Sequence, residues 1–362
     1  MAPVRGHRER RRNRTRTVAR VSETSQISSE TPDQVPWCSQ EWDGSEAPVW
    51  GTASPATFWL AVEQPGPWGA KALTESRLDP RVGAALQQDT VEAGGRTLLI
   101  RAVGDHRTDN SGAPRRVYLA GGAHQGKPWL LQGLFVDPSV LIHLPWEKIA
   151  AGDAEAARQI LPELSYCRTP VLLICTNGKR DLCCAVRGRK IAAYAAGQRG
   201  HLVWECTHTG GHRFAPTGLV LPSGATFARL STELAVSVVD AAQYGRLPEE
   251  ALGERHLRGM SHLSGPAQAA DAAVRASVRE LRPPALQVTA LPDDVSPRNL
   301  SDDAELSLHR VTHDDGRSWL AAVTALTRPG PAVSCGGAGV PSTSYKVELT
   351  EEIPGGGMSS HR

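Results

Sequence analysis

The stretch from Cys175 to His212 constrains this chain more than any other. It reads Cys-Thr-Asn-Gly-Lys-Arg-Asp-Leu-Cys-Cys at 175–184 and His-Thr-Gly-Gly-His at 208–212, so thiols and imidazoles crowd into one short span. Upstream, Val171-Leu172-Leu173-Ile174 is a β-rich apolar run that reads as a buried strand. Downstream, Ala185–Gln198 carries Val186, Ile191, Tyr194 and Ala195 at helical spacing and reads as a helix ending near Gly197 and Gly200. His201–Cys206 reads as a second strand that delivers His208 and His212 to its end. The cysteines leave one strand and the histidines leave the other. Both sets therefore emerge at the same edge of one βαβ unit, where loops on a rigid scaffold present chemistry.

The elements around this unit repeat an order. Before it, Thr57–Glu63 reads as a strand, Ser76–Gln88 as a helix and Arg96–Val103 as a strand. Two further strands, Arg116–Ala120 and Trp129–Val136, precede a helix that starts at Pro138, runs to Ile149 and extends toward Ile160. In the second unit, strand Thr169–Ile174, the helix and strand 201–206 are followed by Thr217–Leu221 and Thr226–Leu230. These last two flank the hairpin signal Pro222-Ser223-Gly224, and Ser231–Gln243 follows as a helix. A βαβ half joined to a ββα half is the thioredoxin-like layout, and two tandem copies would fill 37–250. The expected fold is thus α/β, with tandem thioredoxin-like (βαβ-ββα) units and a small C-terminal strand-rich extension.

The expected divisions are a disordered basic arm (1–36), an N-terminal thioredoxin-like domain (37–165), a second thioredoxin-like domain (166–285) and a C-terminal extension (286–362). A short helix, Pro266–Leu281, closes the third division. In the last, Leu286–Thr289, Leu306–Val311 opposite Trp319–Thr324, and Ser344–Leu349 read as strands, with Asp314-Asp315-Gly316 as a hairpin turn. The sequence leaves open whether this region is an appended domain or an extra layer.

Charge and cysteine usage narrow the class. The net charge of +2 hides an asymmetry: residues 1–20 hold eight arginines against Glu9, and the remainder carries 32 basic and 37 acidic residues. A basic arm on a mildly acidic body reads as a solvated tail, and a nucleic-acid partner is not expected. No apolar run is long enough for a membrane span and no signal peptide is visible. Seven cysteines, four of them between 167 and 184, form no disulfide framework. They point to a reducing, cytoplasmic compartment with ligand or redox chemistry.

Several motifs point the same way. They are Glu63-Gln64-Pro65-Gly66-Pro67-Trp68-Gly69, Arg180-Asp181-Leu182-Cys183-Cys184, His208 through Ala215, Leu219 through Gly224, and His256-Leu257-Arg258-Gly259. Together they resemble the sucrase/ferredoxin-like family, whose members look like thioredoxin-fold [2Fe–2S] ferredoxins; the similarity runs from about Cys38 to Cys335. The resemblance to its bis-histidine branch implies a cluster held by Cys175, Cys184, His208 and His212. Two departures stand out. Asn177 occupies a position where His is expected, and Phe227-Ala228-Arg229-Leu230 replaces Tyr-Gly-Arg-Leu. Nothing supports sucrase chemistry, since no carboxylate pair is placed for glycoside hydrolysis.

Thiolate and imidazole both suit iron in a [2Fe–2S] centre. Gly210 and Gly211 would leave room beside such a cluster and offer N–H groups, while Arg180 and Arg213, with Lys179, are nearby cations. The expected role is a proton-coupled electron carrier that passes electrons between a reductase and an acceptor. No Gly-x-Gly-x-x-Gly follows a strand, so a flavin or nicotinamide would sit on the partner.

Alternatives stay open. Cys183 could replace Cys184 as ligand. A structural zinc Cys2His2 site in a binding protein would use the same residues, although eight residues between cysteines exceeds the usual two to four. A thiol–disulfide oxidoreductase would use Cys183-Cys184, where that chemistry favours Cys-x-x-Cys. Cys38, Cys167, Cys206 and Cys335 read as small buried hydrophobes, Asp181 as a structural partner of Arg180, and Trp204 as core. His201, His256, His262 and His313 read as ordinary histidines.

Overall fold

Strand Val171–Cys175 is buried along its whole length, as its unbroken apolar sequence requires. It lies near the middle of a ten-stranded mixed sheet in a computed structural model that describes residues 37–105, 112–292 and 304–352. The basic arm read at 1–36 lies outside the described residues.

In chain order the first half comprises helix α1 (Cys38–Asp43), strand β1 (Trp59–Glu63), helices α2 (Ala72–Glu75) and α3 (Pro80–Glu92), and strands β2 (Arg96–Ala102), β3 (Arg115–Gly121) and β4 (Trp129–Phe135). Helices α4 (Trp146–Ala150) and α5 (Ala154–Ile160) and the short strand β5 (Ser165–Tyr166) complete it. The second half comprises β6 (Val171–Cys175), α6 (Leu182–Arg199), β7 (Val203–Cys206), β8 (Gly218–Leu221), β9 (Ala225–Phe227), α7 (Thr232–Gln243), β10 (Leu257–Met260) and α8 (Gly265–Val278). A meander of β11 (Leu286–Ala290), β12 (Ala304–His313), β13 (Ser318–Ala332) and β14 (Gly339–Glu352) forms a separate antiparallel sheet.

The large sheet has the order β10-β9-β8-β6-β7-β2-β1-β3-β4-β5. β1 runs parallel to β2 and antiparallel to β3, which pairs with β4; β6 stands in the same relation to β7, β8 and β9. The two quartets meet edge to edge through β2 and β7, with Ile100 opposite Cys206 and Arg101 opposite Glu205. Arg101 and Glu205 form a buried ion pair across that seam at 2.5 Å. Thr176, the residue after β6, donates to the same carboxylate at 2.8 Å.

Alternation along the strands fills both faces. Leu172 and Ile174 join one core with Ala192 and Ala195 of α6 and residues of α7 and α8. Val171, Leu173 and Cys175 join another with Trp59, Ala61, Leu98, Ile100 and Cys206. Leu60, Val62 and Leu99 face a third core with α3, α4 and α5. The small sheet turns Val311, Trp319, Ala321 and Val323 into the first of these cores, against α8, so it forms a layer over that helix. Asp314-Asp315-Gly316 makes the expected hairpin turn, with Gly316 at φ 93°.

Several boundaries differ from the sequence reading for local reasons. The helix expected over 76–88 starts at Pro80, because Asp79 accepts from the Arg81 N–H and proline suits the first helical turn. The helix expected from Pro138 breaks into a 3₁₀ stretch (Pro138–His143), α4 and α5. Pro145 and Gly152, at φ 90°, interrupt it. Residues 200–202 form a 3₁₀ turn before β7. Helix α1 and strand β10 carry no signal long enough to read from periodicity. Among the described residues no helix is long and apolar enough to cross a membrane.

Candidate metal centre

β6 ends at Cys175, and the turn that follows is fixed by polar contacts from several directions. Asn177 donates to the Gly69 carbonyl at 3.2 Å, and Trp68 lies under the Arg101 guanidinium at 4.2 Å. The Gln64–Gly69 segment therefore buttresses the cysteine turn, which explains why a proline- and glycine-rich loop far away in sequence accompanies it. Gly188 of α6 lets the helix approach β6, since a Cβ there would lie 2.3 Å from the Cys175 carbonyl oxygen. Close approach of α6 brings Cys184 to Cys175.

Of the four residues expected to bind a cluster, Cys184 and His208 neighbour Cys175, and His208 neighbours His212, but the donors that lie within 4.8 Å of one another among the described residues are a different set. Cys184 and His208 are the side chains that act most strongly on the Cys175 thiol. The His208 and His212 rings lie edge to face with centroids 4.9 Å apart. The hydrogen bond with Cys184 holds the Cys175 thiol well below its ordinary pKa; burial opposes this, and His208 and the Asn177 N–H assist it. Cys184 is pushed correspondingly upward by its bonds to Cys175 and Cys183. Both cysteines are buried, whereas His208 and His212 are only half-buried, so the imidazole side of the pocket meets solvent.

The glycines between the histidines take positive φ, 85° at Gly210 and 66° at Gly211. The direction a side chain would take is filled by Ser54 Oγ at one and by the Arg258 guanidinium at the other. Glycine is needed here for backbone conformation and packing. Arg258 is itself buried, donates to the Gly210 carbonyl at 3.0 Å and to Thr52. No carboxylate lies within 4.0 Å of it among the described residues. Burial, then Arg213 and Arg96, lower its pKa, and Cys175 is the anionic group that counters them. Arg180 is exposed on the turn, and Arg213 packs over the rings of Trp42 and Phe214.

Asp181 corrects the sequence reading. It occupies the N-cap position of α6 yet makes no capping hydrogen bond, and its carboxylate does not pair with Arg180. Instead Oδ2 lies 2.6 Å from His212 Nδ1 and accepts from Ser334 Oγ at 2.6 Å and from the Cys335 N–H at 3.2 Å. Oδ1 accepts from the Cys183 thiol at 3.0 Å. Burial raises this carboxyl, but the bonds from His212, Cys335, Ser334 and Cys183 outweigh it and leave Asp181 well below the carboxylate range.

Cys183 and Cys184 act on each other and each also has a further thiol neighbour. Cys184 faces Cys175, while Cys183 faces Cys38 at 3.6 Å, and Cys38 also lies 3.7 Å from Cys335. The donors of Cys38, Asp181, Cys183 and Cys335 all lie within 4.8 Å of one another and could hold a metal ion; this grouping contains no histidine. Cys38 and Cys335, read from sequence as inert, are therefore part of a thiol cluster. Nothing in the sequence marked them, because 297 residues separate the two.

The fold and this end of it define a mixed α/β protein with cysteine- and histidine-bearing loops at one strand edge. A model of the sucrase/ferredoxin-like family matches residues 49–259, more than half of the chain, and the protein belongs to that family. No curated protein and no solved structure matches it.

Proposed function

We propose that the protein is a one-electron carrier whose [2Fe–2S] cluster is held by Cys175, Cys184, His208 and His212. The observation that carries the reading is the convergence of two loops. Cys175 touches both Cys184 and His208, and His208 lies against His212. Two thiols and two imidazoles from adjacent strand ends fit the donor set such a cluster takes. The repeated strand order of the two quartets supports reading them as tandem thioredoxin-like units.

When bound, the cluster would accept and release single electrons. The chain's own residues set the terms. Asp181 faces His212 Nδ1, which fixes the ring and leaves Nε2 as the metal donor. A metal-bound imidazole facing a carboxylate on its other nitrogen would couple electron uptake at such a centre to proton uptake. Buried Arg258, with Cys175 its anionic neighbour among the described residues, would offset the negative charge that an added electron brings. Two neutral imidazoles in place of thiolates lift the potential, as in Rieske centres at about −150 to +300 mV against about −400 mV for plant-type ferredoxins. Half-buried histidines give a partner reductase or acceptor a short route to the site. All seven cysteines are free, which suits a reducing compartment such as the cytoplasm.

A thiol–disulfide oxidoreductase reading is weaker. Cys183 and Cys184 are 0% and 1% exposed, so a substrate disulfide has no access to them.

The test is anaerobic purification with iron and sulfide analysis and visible spectroscopy. The expected result is a coloured protein with iron and acid-labile sulfide in equal amounts, lost in Cys175→Ser and Cys184→Ser. A colourless protein after anaerobic expression with iron supplied would overturn the reading.

A further inference from the structure

We propose a second metal site in this protein, beside the first and sharing Asp181 with it: a zinc ion bound by Cys38, Cys183, Cys335 and Asp181 Oδ1. Three separate segments supply it, namely α1, the start of α6 and the turn between β13 and β14.

The spacing matches tetrahedral zinc. A Zn–S bond of about 2.3 Å places two sulfurs of a tetrahedral site about 3.8 Å apart. Cys38 Sγ lies 3.6 Å from Cys183 Sγ and 3.7 Å from Cys335 Sγ. Asp181 Oδ1 lies 3.7 Å from Cys38 Sγ and 3.0 Å from Cys183 Sγ. A disulfide needs sulfurs about 2.0 Å apart and would select one partner for Cys38. Cys38 is instead placed nearly equally from two thiols and a carboxylate, which is the arrangement a central ion requires.

The surroundings fit an anionic, metal-loaded site. Asp181 is orientated by bonds to its other oxygen, from Ser334 and the Cys335 N–H, and this leaves Oδ1 turned to the sulfurs. Arg213 stands beside the same group: its Nε is buried without a hydrogen-bond partner. Cys335 is only half-buried, which gives an ion a way in, while Cys38 and Cys183 are closed to solvent. Loading exchanges protons for metal: Zn²⁺ enters, the three thiols release their protons to water, and no electron moves.

The consequence is a clamp. The ion would tie residue 38 to residue 183 and residue 335, across sequence separations of 145 and 297. Because such a site exists only in the folded chain, metal binding stabilises the fold by mass action.

The test measures zinc and iron separately in the full chain, expressed with both supplied. We expect one zinc per chain, lost in Cys38→Ser and Cys335→Ser while iron and sulfide stay at wild-type levels. Zinc should be kept in Cys175→Ser, which removes the iron, so failure of this proposal is distinguishable from failure of the electron-carrier reading. X-ray absorption at the zinc edge of the unmodified protein covers the case in which a variant misfolds. Three sulfurs and one oxygen around zinc support the site. Two sulfurs and two nitrogens, no zinc at all, or a Cys38–Cys183 disulfide in anaerobically prepared protein would overturn it.

Discussion

At the scale of single residues, Asp181 carries the account. Aspartate at a helix start ordinarily caps it, and the sequence gives no sign of another use. Here the carboxylate gives up capping and faces His212 and Cys183. In the proposed iron-loaded form, Asp181→Asn removes the carboxylate charge beside His212 Nδ1. The midpoint potential at acid pH should rise, and the pH at which it begins to fall should drop by about one unit, the lower end of the effect of an adjacent carboxylate. An unchanged break in a potentiometric titration would separate Asp181 from the proton. His262 makes a second, structural case. Burial lowers its pKa to about 4 from 6.5, and its Nδ1 is buried without a partner. The unfolded chain binds this proton more readily, so its contribution is intact above about 6.5 and lost progressively down to about 4. Denaturant titrations should show stability falling across that window, and His262→Gln should flatten the fall. The ligand candidates were legible in sequence because they sit close together on two loops of one βαβ unit. Cys38 and Cys335 were not, since only the folded chain brings them to Cys183.

At the scale of elements, the seam between β2 and β7 holds the cysteine turn in place. The Arg101–Glu205 pair is buried on both sides, 7% and 3% exposed, and Thr176 hangs on the same carboxylate. Glu205→Gln leaves a buried guanidinium without its partner and should cost about 3–5 kcal/mol in chemical denaturation, with reduced iron loading. The double variant Arg101→Met/Glu205→Leu should recover most of the stability, because it removes both charges from the interior. A loss no larger than about 1 kcal/mol for Glu205→Gln, the value of an exposed pair, would mean that the seam is solvated. Strands β1 to β4 and β6 to β9 were readable from period-two patterns, short turns and apolar runs. The seam itself was not: β2 and β7 are far apart in sequence, and nothing local says that their edges meet. The break at Pro145 had a local signal in the proline itself, and the stop at Gly152 depended on a glycine that helix periodicity overlooks.

At the scale of the whole molecule, one thiol–carboxylate donor group lies beside the proposed cluster ligands. The proposed ligands are the Cys175, Cys184, His208 and His212 set, and the donor group is the Cys38, Asp181, Cys183 and Cys335 set, with Asp181 between them. The family relation was legible because its motifs surround the first set: Gly69 supports the cysteine turn, and Arg258 supports the histidine loop. The central claim is histidine ligation with a titrating imidazole proton, and the midpoint potential of the purified protein as a function of pH tests it most directly. In the proposed centre, oxidised iron would lower the pKa of the distal imidazole proton and reduction would raise it, so reduction would take up a proton between the two values. The potential should be flat at acid pH and fall by up to about 59 mV per pH unit above the oxidised-state pKa. A potential that stays level from about pH 6 to about pH 10, a window that spans the shifted values, would contradict the account.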